Sequence, residues 1–148
     1  MNVLTIGTFD GLHVGHLELL RESRAIAGDG RLVVGLNDDA FVERYKGRCP
    51  VHPFAHRREL IEALGMVDAV VANAGGEDAR PCIEVVAPDL LTIGDDWLDQ
   101  SGSGAPDEGR YFAQLGVTAR WMAERGLRVV YVPRTRGVSS RELRRVPA

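Results

Sequence analysis

Cysteine is scarce in this sequence, and its scarcity excludes two classes of small protein. Only Cys49 and Cys82 occur among the 148 residues, and two cysteines do not make a disulfide framework. They also lie too far apart in sequence to form the paired hook of a structural zinc site. We therefore expect both thiols to be reduced and to take no part in holding the fold together.

Long apolar runs and an excess of positive charge are also absent. No run approaches the ~20 apolar residues that a membrane-spanning helix requires, and the first residues have neither the charged nor the apolar region of a signal peptide. The formal net charge is −3, whereas a surface that binds nucleic acid needs an extended basic face. We expect a cytoplasmic protein that binds neither membranes nor nucleic acid.

The residues that are present have the balance of an ordinary globular domain, with 45% hydrophobic and 26% charged residues. Apolar runs of strand length occur at residues 3–6, 31–37, 67–72, 89–93 and 129–132. Stretches of helical periodicity separate these runs, and such alternation is typical of parallel strands joined by crossover helices. The sequence predicts one α/β domain over residues 1–148, a Rossmann-like three-layer sandwich around a five-stranded, mainly parallel sheet.

The most informative stretch is Gly7-Thr8-Phe9-Asp10-Gly11-Leu12-His13-Val14-Gly15-His16. It lies between the first predicted strand and a helix whose apolar positions include Leu17 and Leu20. The first N–H groups of a helix have no partners inside the helix, and together with the helix dipole they attract anions. The spacing places His13 and His16 on one face at the helix start. The stretch therefore predicts a phosphate cradle.

A second interpretation of the two histidines stays open at this point. An isolated H-x-x-H also fits an ordinary turn between a strand and a helix, because short motifs often occur by chance. The ten-residue context favours the anion site. Within it, Gly11 permits a tight turn, and Gly15 permits a ligand or a neighbouring strand to approach closely.

Two later stretches bear on the same interpretation. Ile93-Gly94-Asp95-Asp96-Trp97 follows the fourth predicted strand, and Pro133-Arg134-Thr135-Arg136-Gly137-Val138-Ser139-Ser140 follows the fifth. The second of them has a glycine and two hydroxyl residues at a predicted helix start, flanked by arginines, and so forms another phosphate cradle. The carboxylates of the first would bind a base, a ribose hydroxyl or a metal, or would cap the next turn.

Taken in this order, the three motifs resemble the signature of the nucleotidyltransferases with an H-x-G-H motif. The resemblance is greatest to their cytidylyltransferase branch and, within it, to the glycerol-3-phosphate cytidylyltransferases, and it spans nearly the whole chain. It implies an enzyme that transfers CMP from CTP to a small phosphorylated or phosphonate acceptor, such as glycerol 3-phosphate, and releases pyrophosphate. The adenylyltransferases that make ADP-sugars are somewhat less similar.

The resemblance also implies roles for individual residues. The catalytic positions are matched by His13, His16, Lys46 and Arg134. The nucleotide-binding positions are matched by Gly7, Thr8, Phe9, His13, Gly15, His16, Arg48, Gly94, Asp96, Arg134, Thr135, Gly137, Val138, Ser139 and Ser140. The acceptor-binding positions are matched by Asp10, Lys46 and Arg80. No residue is assigned as a metal ligand, and Mg²⁺ is expected to enter with the nucleoside triphosphate because it keeps most of its water. Many relatives dimerise, so we expect a homodimer.

Several of these assignments have an ordinary structural alternative. Lys46 and Arg48 flank Gly47 in a predicted loop and, judged alone, are two exposed cations. Arg57 lies in a basic turn of the predicted helix 53–63. This turn either faces solvent or, as the resemblance implies, brings Arg57 near the phosphates. The glycerol-3-phosphate cytidylyltransferases carry a lysine near the start of the predicted helix 78–86, and this lysine meets the acceptor. The nearest positions in this sequence are Ala79 and Arg80, of which Arg80 is the candidate substitute, and this departure bears on which acceptor is used.

Residues 99–110 are rich in glycine and serine and are predicted to form a flexible loop, followed by a helix over 111–125 that Gly116 weakens. Two interpretations of this region stay open, a lid over the acceptor and a tolerated surface insertion.

The alternatives for the function come from three classes. One is an ATP-dependent adenylyltransferase acting on a sugar phosphate or a similar acceptor. Another is a nucleotide-binding module without turnover. The third is a fragment related to aminoacyl-tRNA synthetases, which the acidic charge balance and the absence of a tRNA-binding extension disfavour.

Overall fold

The computed structural model of the protein describes residues 1–94 and 108–133, and within them the predicted α/β architecture is confirmed. The strands of the described part are β1 (Val3–Gly7), β2 (Leu32–Asn37), β3 (Ala69–Asn73), β4 (Leu90–Gly94) and β5 (Arg128–Val132). They form one sheet in the order β3-β2-β1-β4-β5, and every pairing is parallel. The central strand β1 is buried along its first four residues, as a continuous apolar run predicts for a strand covered on both faces.

Helices cover both faces of this sheet. Those of the described part are α1 (Val14–Ala27), α2 (Asp39–Lys46), α3 (Phe54–Ala63), α4 (Arg80–Val86), α5 (Glu108–Leu115) and α6 (Ala119–Glu124). One core cluster joins Leu20 of α1 and Ile61 of α3 to the sheet, and another joins Ile83 of α4 and Met122 of α6 to its other face. The molecule is therefore a three-layer sandwich.

The strand order creates a crevice at the centre of the sheet. The connection after β1 leads to β2 on one side, whereas the connection after β3 crosses to β4 on the other side of β1. Ligands of open parallel sheets bind outside the carboxyl ends of the strands at such a switch point. The turn that follows β1 contains the H-x-G-H motif and lies at this place.

Between β4 and β5 the structure differs from the sequence-based expectation. Helix α5 begins at Glu108, so the end of the predicted loop 99–110 is wrong, while residues 95–107 lie outside the described part. The helix predicted over 111–125 is two helices, because Gly116 takes a left-handed φ of 71°. A Cβ there would lie 2.5 Å from the carbonyl oxygen of Glu77, so the chain turns where no side chain fits. The Thr118 hydroxyl then caps α6 by accepting the Trp121 N–H at 3.0 Å.

The described residues contain no helix with the length and apolar character to cross a bilayer.

Candidate active site

The turn between β1 and α1 has an unusual backbone. Gly11 and Phe9 both have left-handed φ values, 72° and 51°, a conformation that is uncommon for a residue with a side chain. The Phe9 ring is buried in the core cluster that includes Leu20 and Ile61, and this packing holds the turn in place. A Cβ at Gly7 would lie 2.9 Å from the Phe9 ring, so glycine is needed for the ring to fold back over the strand end.

His13 and His16 cap the start of α1 with their own ring nitrogens. The Nδ1 atom of His13 accepts the Gly15 N–H at 3.0 Å, and the Nδ1 atom of His16 accepts the His13 N–H at 3.2 Å. This reciprocal arrangement is a capping box. A ring nitrogen that accepts an N–H bond carries no proton, so both imidazoles are neutral and carry their proton on Nε2. The two rings stack with their centroids 3.9 Å apart.

The surroundings of His16 favour the same neutral state. Burial lowers the pKa of His16 to about 4, and the proximity of His13 and of the Lys46 ammonium acts in the same direction, while Asp10 opposes it. At neutral pH this imidazole is therefore a hydrogen-bond donor and not an acid. The same interactions show that Lys46 and Asp10 lie within electrostatic reach of His16, and the predicted roles of the two residues stay predictions.

Asp10 attaches the loop between α2 and α3 to this turn. Its buried carboxylate accepts the backbone N–H groups of Val51 at 2.6 Å and His52 at 2.9 Å. Burial alone would raise the pKa of Asp10, but these two hydrogen bonds and the charge of Arg57 hold it below its usual value. The structure thus assigns Asp10 to holding the loop, and its predicted contact with the acceptor stays a prediction.

Lys46 and Arg48 are both exposed at the start of that loop. Lys46 is the last residue of α2, and Gly47 ends the helix with a left-handed φ of 71° while its N–H donates to the Glu43 carbonyl. Because Asp10 fixes the far end of the loop, the two cations are attached on one side to α2 and on the other to the H-x-G-H turn. The charge of Lys46 acts on His16 at the N-terminus of α1, and a cation at that place would favour the binding of an anion.

Arg57 lies beneath this loop and is fully buried. Its guanidinium donates to the carbonyl oxygens of His52 (2.9 Å), Thr8 (2.8 Å) and Asn37 (2.9 Å), and to the Asp39 carboxylate (2.6 Å). It therefore joins the H-x-G-H turn, the end of β2, the start of α2 and the cationic loop. The alternative that Arg57 lies on a solvated face is therefore wrong, and the other alternative, a position near the phosphates, stays a prediction.

Two polar residues at this edge were not selected by the sequence analysis. Asn37 ends β2 and Asn73 ends β3, and both are buried. The sequence pattern that could have identified them is a polar residue at the end of an apolar strand in two consecutive βα units, at the edge of the sheet where ligands bind.

The remaining predicted residues stand as follows. Gly94 is the last residue of β4, the strand that pairs with β1. The guanidinium of Arg80 donates twice to the Asp78 carboxylate, at 2.8 and 2.9 Å, and its acceptor role stays a prediction. The predicted residues that lie outside the described part of the chain are Asp96, Arg134, Thr135, Gly137, Val138, Ser139 and Ser140.

The sequence of this chain is similar to a family of known proteins. Residues 4–146 match the model of the family described as cytidylyltransferase-like. The bifunctional protein HldE of Nitrosococcus oceani is 44% identical over 104 residues, which is 70% of this chain and 21% of that protein. HldE of Pseudomonas aeruginosa is 45% identical over 116 residues, 78% of this chain and 24% of that protein. The chain thus spans between a fifth and a quarter of the length of these relatives.

Two solved structures are similar to this chain in fold. The lipopolysaccharide core biosynthesis protein of Thermoplasma volcanium has a TM-score of 0.63 and 29% identity, with 90% of this chain and 94% of that chain covered. Pantothenate synthetase of Thermus thermophilus has a TM-score of 0.57 at 19% identity, with 97% of this chain and 61% of that chain covered, and shows the shared fold alone.

Proposed function

Because this chain belongs to the cytidylyltransferase-like family of nucleotidyltransferases, we propose that it transfers CMP from CTP to a small phosphorylated or phosphonate acceptor. The observation that carries this proposal is the pair of stacked, neutral histidines at the N-terminus of α1, beside the exposed cations of the loop that Asp10 holds. In this proposal the two Nε2–H donors and the two cations would bind phosphate oxygens of the substrates.

The chemistry needs no proton transfer. An acceptor phosphate is already an anion at neutral pH, so its oxygen attacks the α-phosphorus directly, the bond to the bridging oxygen breaks, and pyrophosphate leaves. A neutral His16 suits this reaction because a histidine with a pKa of about 4 donates a hydrogen bond and does not act as a base at neutral pH. Catalysis then consists of holding two repelling anions together and stabilising charge on the leaving group.

The family resemblance supports the following roles for the histidines and the loop cations. His13 and His16 would donate from Nε2 to phosphate oxygens, Lys46 would bind the acceptor, and Arg48 would bind the triphosphate. Among the described residues there is no group of three His, Cys, Asp or Glu side chains that could hold a metal ion. We propose that Mg²⁺ would enter with the nucleoside triphosphate, be held mainly by the phosphates and by water, and offset the charge of the phosphates.

A second candidate is an adenylyl transfer from ATP to a sugar phosphate. Its support is the similarity to the lipopolysaccharide core biosynthesis protein of Thermoplasma volcanium, which is named for a saccharide-containing product. The two candidates share the cradle and the cationic loop and differ in the base and in the acceptor.

Pyrophosphate release with Mg²⁺ tests both candidates. CTP and ATP are each combined with glycerol 3-phosphate, phosphoethanolamine, sugar 1-phosphates and simple phosphonates. Release with CTP and one acceptor would support the first candidate, and release with ATP and a sugar phosphate the second. If no pair of nucleotide and acceptor releases pyrophosphate but calorimetry still detects nucleotide binding, a nucleotide-binding module without turnover would be favoured.

His16→Ala separates catalysis from binding in the same assay. We expect a loss of at least about tenfold in kcat, because removing one preorganised donor costs roughly 2.7–4 kcal/mol of barrier. His56→Ala, on the exposed face of α3, is the matched control. Near-normal turnover of the His16 variant would remove this residue from the proposed mechanism.

A further inference from the structure

A chain of three polar side chains runs under the carboxyl edge of the sheet, from β3 through β2 to the H-x-G-H turn. The Nδ2 atom of Asn73 donates to Oδ1 of Asn37 at 2.9 Å, and Nδ2 of Asn37 donates to Oγ1 of Thr8 at 3.1 Å. Asn73 and Asn37 are 2% and 8% exposed, whereas Thr8 is half-buried. The chain therefore begins in the interior and ends at the cradle.

The direction of the hydrogen bonds in this chain is set at its buried end. Nδ2 of Asn73 also points to the carbonyl oxygen of Gly76, 3.5 Å away, and a carbonyl only accepts. The amide nitrogen of Asn73 therefore faces Gly76 and Asn37, and Oδ1 of Asn37 has to be the acceptor. The nitrogen of Asn37 then faces Thr8. Because that nitrogen has only hydrogens to offer, the Thr8 oxygen accepts, and the single hydroxyl hydrogen of Thr8 is directed elsewhere.

The backbone reinforces this orientation. Arg57 donates through the same nitrogen, Nη1, to the carbonyl oxygens of both Thr8 and Asn37, and so holds the two residues side by side. Asn37 is more buried than Thr8 and occupies the Thr8 oxygen as a donor, so the Thr8 hydroxyl hydrogen is available to an acceptor other than Asn37.

The buried end of this chain has both a cost and a benefit in stability. Oδ1 of Asn73 is buried and has no hydrogen-bond partner in the described part of the molecule, and a buried acceptor without a partner destabilises a fold. The amide nitrogen of Asn73 in turn satisfies the buried Oδ1 of Asn37. An effect of Asn73 on Thr8 is therefore separated from its effect on stability by kinetics.

We infer that Asn37 and Asn73 are positioning residues that direct the Thr8 hydroxyl hydrogen toward a phosphate oxygen of the nucleoside triphosphate in the cradle. The inference rests on the proposed nucleotidyl transfer and deepens it. Without this chain the Thr8 hydrogen would be shared between Asn37 and the ligand, because a hydroxyl rotates toward any acceptor within reach.

A double-mutant cycle between Thr8 and Asn73 tests the inference. We expect Thr8→Val and Asn73→Leu each to lower kcat, by roughly ten- to a hundredfold for a hydrogen bond to a charged group, with little change in the KM of the acceptor. The double variant should be no slower than Thr8→Val alone, since Asn73 acts only through that hydroxyl. Thr8→Ser, which keeps the hydroxyl, should retain most of the turnover.

Thr92→Val is the matched control for a lost buried hydroxyl. Thr92 is fully buried on β4 and pairs with the Ser23 hydroxyl at 2.7 Å, away from the polar chain. Its substitution should lower the free energy of unfolding and leave kcat within about twofold of the wild type. If Asn73→Leu does not fold, Asn37→Asp replaces it, because a carboxylate would accept the Thr8 hydrogen and should lower kcat as much as Thr8→Val does.

The outcomes separate this inference from the proposed function. Normal turnover of Asn73→Leu, or losses that multiply in the double variant, would overturn the positioning role. If the wild-type protein releases no pyrophosphate but binds inorganic pyrophosphate, the proposed turnover fails, and the same cycle is measured on Kd by calorimetry. A wild-type protein that does neither overturns both.

Discussion

Replacing His16 with asparagine should make the free energy of unfolding less sensitive to acid. In the folded protein the Nδ1 atom of His16 accepts the His13 N–H, and the side-chain oxygen of asparagine can take that place. The substitution therefore keeps the helix cap and removes the group that titrates. The comparison isolates the consequence of holding an imidazole neutral at the start of α1.

The magnitude follows from the lowered pKa. His16 titrates at about 4 in the folded protein, against 6.5 for the ordinary side chain. Above pH 6.5 neither state binds the proton, so His16 contributes no pH dependence there. As the pH falls below that value, the unfolded state takes up a proton that the folded state does not, and the fold loses stability until the folded pKa is reached. At a pH of about 5 the loss is roughly 2 kcal/mol.

Urea unfolding followed by circular dichroism measures this effect. The free energies of the wild type and of His16→Asn are compared at a pH of about 7.5 and about 5, and the difference between the two proteins should change by roughly 2 kcal/mol in favour of the variant. Carboxylates such as Asp10 titrate in both proteins and cancel. His56→Asn, exposed on α3, is the control. Parallel pH profiles for the wild type and His16→Asn would refute the assignment of a neutral, buried His16.

Three further predictions concern the residues that support the site. Arg57→Met should lower the free energy of unfolding by about 3 kcal/mol, because it leaves buried acceptors without a donor. Arg58→Met breaks only an exposed ion pair and should change the free energy of unfolding by less than about 1 kcal/mol. Urea unfolding measures both, and equal losses would contradict the burial of Arg57. Gly76→Ala should destabilise the fold more than Gly65→Ala does. Both glycines have left-handed φ values, but of the two only a Cβ at Gly76 meets other side chains, the nearest at 2.9 Å. The melting temperature of Gly76→Ala should therefore be the lower one, and equal melting temperatures would count against this packing. Asp10→Asn places an amide nitrogen against a backbone N–H, and the loop between α2 and α3 loses one of its two hydrogen bonds to this side chain. We expect kcat/KM in the pyrophosphate assay to fall because the loop is held less firmly. Unchanged kinetics would show that the loop does not depend on the Asp10 carboxylate.

Local sequence patterns were sufficient for the strands and for the turn that follows β1. A short apolar run bounded by turn residues favours a covered strand, and a glycine-rich stretch before a periodic segment favours a turn before a helix, so both predictions follow from a few neighbouring residues. The break at Gly116 did not follow in this way. A single glycine inside a helical pattern is usually tolerated, and only the nearby Glu77 carbonyl, which comes from a distant segment, makes the turn necessary.

The basic turn of α3 illustrates the limit for the site. Arg57 and Arg58 are adjacent and chemically identical in sequence, but one is fully buried and the other pairs with Glu62 at the surface. Which arginine faces inward depends on where four carbonyl and carboxylate acceptors meet, and those acceptors belong to different elements of the chain.

Spacing along the chain was enough to predict a helix N-terminus with two histidines three residues apart after the first strand, and a pair of cations that follows the second strand. The neutral state of His16, the attachment of the cationic loop by Asp10 and the buried chain from Asn73 to Thr8 became visible only in the folded molecule. Each of these depends on burial or on hydrogen bonds between segments that are distant in sequence, and spacing along the chain does not report either.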